Sequence, residues 1–138
     1  MRPMNVPFFR VDASGNELRY LREVLESGWL TSGGRVLDFE AAFAEATGSK
    51  HAIAVNSCTA ALHLACEAAG VGPGSEVLVP SLTFTATAEV VEYLGGTVRL
   101  VDVDPTTGIL TPDLLKQALD SHPSISCVIP VHFAGAPC

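Results

Sequence analysis

Three small side chains, Ser57, Cys58 and Thr59, stand between an apolar run over 51–55 and an alanine-rich stretch over 59–69. If the run is a strand and the stretch a helix, they lie at the helix N-terminus. Unpaired backbone N–H groups and the positive end of the helix dipole favour an anion there. The same residues could instead simply cap the helix. Phe84, a few residues past a second apolar run, could lie over a flat ring whose phosphate sits on Thr59, provided the two runs are neighbouring strands. A core would take the same phenylalanine. The loop over 28–34 holds the only tryptophan, Trp29, among glycines and the hydroxyls of Thr31 and Ser32. That composition suits a binding surface, unless Trp29 plugs the core beneath it. Asp102 and Asp104 end a run that contains Arg99. They could ligate a metal or exchange protons, or they could close the turn at Pro105.

These groups need elements to hold them. Ser14 and Glu17 have the spacing of a capping box, and Leu18, Leu21, Val24 and Leu25 recur behind them at helical spacing. A helix over 16–27 follows, stopped by Gly28. Val36, Phe39, Ala42, Phe43 and Ala46 mark a second helix, stopped by Gly48. From His51 the pattern alternates between short apolar runs and helical stretches. Strands are expected over 51–55, 76–79, 98–103 and 125–131, with helices over 59–69 and 83–94 and another opened by Thr111 and Pro112. This rhythm implies βαβ units and a parallel sheet covered on both faces. The expected division is N-terminal helices and a loop over 1–50, then a sheet domain over 51–138.

The chain has 138 residues, 48% of them hydrophobic and only 17% charged. Its mean hydropathy of +0.34 is high for a soluble domain, which implies that apolar surface is covered by a second subunit or by further chain. A net charge of −7 without a Lys/Arg cluster gives no basis for nucleic-acid binding. Cys58, Cys66, Cys127 and Cys138 show no zinc-like spacing and suit free thiols in a reducing compartment. With no apolar stretch of signal-peptide or membrane-spanning length, a cytoplasmic protein without membrane contact is expected.

The P-loop pattern and the dinucleotide-binding glycine pattern are both absent. The motifs that are present occur in order: 28–33 followed by Phe39 and Glu40, then 54–65, 70–77, 80–88, 101–105 and 130–135. Together they resemble the DegT/DnrJ/EryC1/StrS aminotransferases over nearly the whole chain. The resemblance implies the N-terminal part of the large domain of the aspartate-aminotransferase-like (fold type I) pyridoxal-phosphate fold, an α/β architecture with a mainly parallel sheet. It implies pyridoxal 5'-phosphate as cofactor, with transfer of an amino group, from glutamate as the amino-acid donor, to a keto group on a nucleotide-linked sugar. A homodimer is the implied assembly. Ser57, Cys58 and Thr59 correspond to the phosphate-binding turn and Phe84 to the aromatic that stacks on the ring. Trp29, Thr31 and Ser32 fall in a segment where members contact substrate. Cys58 departs from the pattern, since many members carry glycine there.

An enzyme of this kind needs a lysine for the Schiff base and an acidic partner for the pyridine nitrogen. The only lysines are Lys50, ahead of the first expected strand, and Lys116, among Asp113, Gln117 and Asp120 on a helix. Neither suits the task, so the lysine is expected beyond Cys138 and the chain is expected to be an inactive fragment. Alternatives are a pyridoxal-dependent sugar dehydratase of the same family or a non-catalytic phosphate-binding remnant.

Overall fold

A computed structural model describes Pro7 and residues 9–138. The chain forms two compact units, 1–54 and 55–138.

In the first unit, α1 (Glu17–Ser27) and α2 (Gly34–Thr47) match the two apolar periodicities. They are joined at their polar edges. Glu23 pairs with Arg19 at 2.9 Å and with Arg35, and the two guanidinium groups lie 4.4 and 4.6 Å from the centre of the Tyr20 ring. The expected capping box does not form. The Ser14 N–H donates instead to the Asp12 carboxylate, and Asn16 precedes the helix without a side-chain cap. The nearer acceptor two residues away takes Ser14 into its own turn.

Between the helices, the Trp29 N–H donates to the Ser27 hydroxyl, and the indole Nε1–H donates to the Ser32 carbonyl at 3.0 Å. The ring lies directly against Gly33, where a Cβ would sit 2.5 Å from Trp29 Cδ1. Gly33 has extended backbone that any residue could adopt, so its lack of a side chain matters here for space.

The second unit contains α3 (Cys58–Ala68), β1 (Glu76–Pro80), α4 (Ala86–Tyr93), β2 (Thr97–Val101), α5 (Pro112–Ser121) and β3 (Ile125–Val128). All pairing is parallel, in the order β2-β1-β3. Central β1 is buried on both sides: Val77, Leu78 and Val79 are at most 1% exposed. Alternation sends Val77 and Val79 into one cluster with Cys66 of α3 and Val90 and Val91 of α4. Leu78 faces the other way, in register with Val128, and Leu115 of α5 lines a hollow with Val128. Helices therefore cover both faces, as the near-continuous apolar strand requires.

The strand expected over 51–55 does not form. The segment joins no ladder among the described residues, and Ile53 is 82% exposed. An apolar run becomes a strand only where neighbours take its backbone groups, and among the described residues no strand does so here. The Ala54 N–H donates to Glu40 Oε1 of α2 instead, at 2.8 Å. The helix expected over 83–94 begins only at Ala86, after an irregular turn through Leu82 and Phe84.

Glu76 ties the three strands together. Its carboxylate accepts two bonds from Arg99 of β2, at 2.8 and 3.1 Å, and one from the Ser124 hydroxyl just before β3, at 2.7 Å. At a register shift beside Glu76, the extra residue Ser126 donates its hydroxyl to the Glu76 carbonyl.

Two predictions follow from these contacts. The bond from Arg99 first, then that from Ser124, lowers the Glu76 pKa from 4.5 to about 2. A depressed carboxyl contributes stability above its unfolded value, and the contribution fades as pH falls toward the folded one. The Tm difference between the native chain and Glu76→Gln should therefore be constant above 4.5 and shrink toward pH 2; a difference independent of pH would contradict the assignment. Gly33→Ala should displace the indole. Because Trp29 is the only tryptophan, its emission should shift red with helix content unchanged. Unchanged emission would show that the ring does not rest on Gly33.

Candidate functional site

The second unit gathers its chemistry at the carboxyl ends of the parallel strands, where open α/β sheets bind ligands. A cleft of about 450 Å³ there is lined by Cys58 and Thr59 from α3, Thr83 and Phe84 beyond β1, and Pro130 and His132 beyond β3. Its size is within the range of about 300–1,000 Å³ usual for small-molecule sites.

The start of α3 explains why Cys58 and Thr59 are held in place. Ser57 is the N-cap, and its hydroxyl accepts the Ala60 N–H at 3.1 Å. Ser57 thus does what the plain capping alternative expects of it. The N–H groups of Cys58 and Thr59 have no partner among the described residues and stand at the positive end of the helix. Cys58 takes helical backbone without positive φ, so its thiol adds no backbone strain at the start of α3.

Phe84 lines the cleft and is 78% exposed, so it is not a core residue. Beneath it, the Thr83 and Thr87 hydroxyls are 2.8 Å apart and hold the start of α4 to the turn. His132 also lines the cleft, and its Nδ1 accepts the Cys138 N–H at 3.1 Å. The residue falls within the 130–135 motif, but the sequence alone assigns it no role at the site. Behind it a tight turn spans Phe133–Gly135, with Ala134 in the left-handed region at φ 51°.

Both aspartates are engaged in hydrogen bonds close to their own strand ends. Asp104 Oδ1 accepts the N–H groups of Thr106 and Thr107 and the Thr107 hydroxyl, at 2.8–3.0 Å. These bonds, led by that from the Thr107 N–H, lower its pKa. Asp102 accepts the Ser81 hydroxyl. No group of three or more potential metal ligands occurs among the described residues.

Trp29 and Thr31 line a hollow within the first unit, and Trp29 is 61% exposed, so it is not a plug beneath the loop. Ser32 contributes its carbonyl to the indole. Lys116 pairs with Asp120 on α5 at 2.8 Å, and neither it nor Lys50 lines the cleft. No helix among the described residues is long and apolar enough to cross a membrane.

Solved structures resemble this chain closely. A candidate sugar aminotransferase from Streptococcus pneumoniae, solved in PMP, PLP and apo forms, is 36% identical with a TM-score of 0.87. The match covers 98% of this chain and 34% of the PMP-form chain. DesV of S. venezuelae is 37% identical with a TM-score of 0.83, over 96% of this chain and 37% of its own. A 3-amino-5-hydroxybenzoic acid synthase is 37% identical with a TM-score of 0.82, over 99% and 35%. The chain thus spans about a third of the length of these structures. The shared backbone is the fold type I architecture implied by the motifs. The sequence profile of the DegT/DnrJ/EryC1/StrS aminotransferases matches residues 12–138, and the chain belongs to that family.

Proposed function

We propose that this chain supplies the phosphate-binding and ring-stacking part of a pyridoxal-phosphate site for amino transfer to a sugar. The observation that carries the reading is the convergence of Cys58, Thr59 and Phe84 on one cleft. The residues fit the group. Two unpartnered N–H groups at a helix start suit a dianionic phosphate, and an exposed aromatic ring suits a flat heterocycle.

In this reading Ser57 holds the first turn of α3 in shape, and the N–H groups of Cys58 and Thr59 donate to the phosphate, joined by the Thr59 hydroxyl. Phe84 stacks on the ring and keeps water from one face. When bound, pyridoxal phosphate supplies the electron sink that amino transfer requires. In this reading the cleft contributes binding and orientation, no lysine lines it, and turnover by these residues alone is not expected. Glutamate is the proposed amino donor and a nucleotide-linked keto sugar the proposed acceptor, with Trp29, Thr31 and Ser32 on the substrate side. A homodimer in the cytoplasm is the proposed setting. The exposed apolar residues of α1 and α2, Leu21, Leu25, Phe39 and Phe43 among them, support a covered face.

Two variants test the cleft. Cys58→Asp adds a carboxylate to the first helical turn, which favours the helix by about 0.3–1 kcal/mol but repels a phosphate. Its Tm should hold or rise while pyridoxal-phosphate binding, followed by absorbance titration, weakens by more than about tenfold. Phe84→Ala should weaken binding by roughly tenfold through lost stacking. Native affinity in Cys58→Asp would remove the phosphate assignment. Label from glutamate nitrogen appearing in a nucleotide-linked keto sugar with the 138-residue chain alone would overturn the division of roles.

A further inference from the structure

Among the described residues, Thr87 is the only polar side chain that is buried, at 5% exposure. It lies in the first turn of α4 and lines the cleft, as half-buried Thr83 does from the turn after β1. Their hydroxyls are 2.8 Å apart, and among the described residues neither side chain has a second hydrogen-bond partner. A threonine hydroxyl carries one proton and two acceptor sites. The pair therefore holds two protons and uses one of them between its members. One proton is left to donate.

The pair does not cap the helix. Thr85 is the N-cap residue of α4, and its side chain makes no cap bond. The first N–H groups of the helix go to backbone carbonyls instead: that of Thr87 to Phe84, and those of Ala88 and Glu89 to Thr85, each at 3.0 Å. The hydroxyls of Thr83 and Thr87 thus do not do the work that hydroxyls usually do at a helix start. Buried hydroxyls as a rule use their protons, and the space that both side chains border is the cleft. Phe84, which follows Thr83 directly, lines the same space.

We propose that the Thr83–Thr87 pair donates one hydrogen bond to an acceptor atom on the edge of the ring that stacks on Phe84. The pair thereby favours a heterocycle bearing such an atom over a plain aromatic ring. The inference rests on the pyridoxal-phosphate reading for the identity of that ring, which offers two such atoms, the pyridine nitrogen and the ring oxygen.

The test uses the 138-residue chain and valine, which matches threonine in shape and lacks the hydroxyl. Thr83→Val strands the buried Thr87 hydroxyl and should lower Tm. Thr83→Val/Thr87→Val removes both partners and should bring Tm back close to native. Pyridoxal-phosphate affinity should nevertheless fall about three- to tenfold in the double variant, as loss of one hydrogen bond predicts, while affinity for inorganic phosphate stays unchanged. A merely structural pair would make affinity follow Tm. Native pyridoxal-phosphate affinity in the double variant, or an equal loss for inorganic phosphate, would therefore overturn the proposal. If the valine pair does not fold, Thr83→Ala/Thr87→Ala should show the same contrast between the two ligands. Two analogues locate the acceptor: 3-deoxypyridoxal phosphate lacks the ring oxygen, and the corresponding benzene phosphate ester lacks the ring nitrogen. The effect of the double variant should vanish with one of them; an effect that persists with both would contradict the assignment. 3-Hydroxypyridine, which has no phosphate, separates this inference from the functional reading. It should shift the Thr83 and Thr87 amides in ¹H–¹⁵N spectra of the native chain and leave residues 83 and 87 of the double variant unmoved. Those shifts without any binding of pyridoxal phosphate would overturn the functional reading and leave the donor in place, and failure of both ligands would overturn both.

Discussion

Everything in the second unit depends on the burial of β1 from Val77 to Pro80. A parallel strand flanked on both edges, with apolar side chains on both faces, loses its exposed backbone groups to its neighbours and needs helices above and below. Those helices can return only through crossovers, so every strand-to-helix loop emerges on one side of the sheet. The cleft is a consequence of that topology. Cys58 and Thr59, Phe84, and His132 come from three separated stretches of chain and meet because each lies where a helix begins or a strand ends on that side.

The opposite end of the sheet is organised by charge. Glu76 receives bonds from β2 and from the start of β3, and it lies far along the strand from the loops that form the cleft. Arg99 of β2 is engaged there by a bidentate carboxylate and is not available to a ligand at the other end. The two ends thus divide the work: one holds the strands in register and the other leaves its donors open.

Much of this was legible in the residues. Glycine stops, helical spacing and the Thr111–Pro112 start all mark elements that form, and Thr111 accepts the Leu114 N–H as its N-cap. What could not be read depended on partners distant in the chain. The 51–55 run has strand composition but no neighbour, and composition says nothing about neighbours. Ser14 and Glu17 had the right spacing, but Asp12 competed for the same backbone group. At the site, Phe84 could be assigned to core or cleft only once its exposure was known, and Asp104 to chemistry or turn only once its three donors were seen.

The turn behind His132 carries a cost in backbone conformation. Ala134 sits in a conformation that disfavours a residue with a side chain by about 1–2 kcal/mol. The turn holds that shape through the Gly135 N–H, which donates to the His132 carbonyl at 3.1 Å, and the Ala136 N–H, which donates to the Phe133 carbonyl at 3.0 Å. Glycine at position 134 would meet the same conformation without that cost.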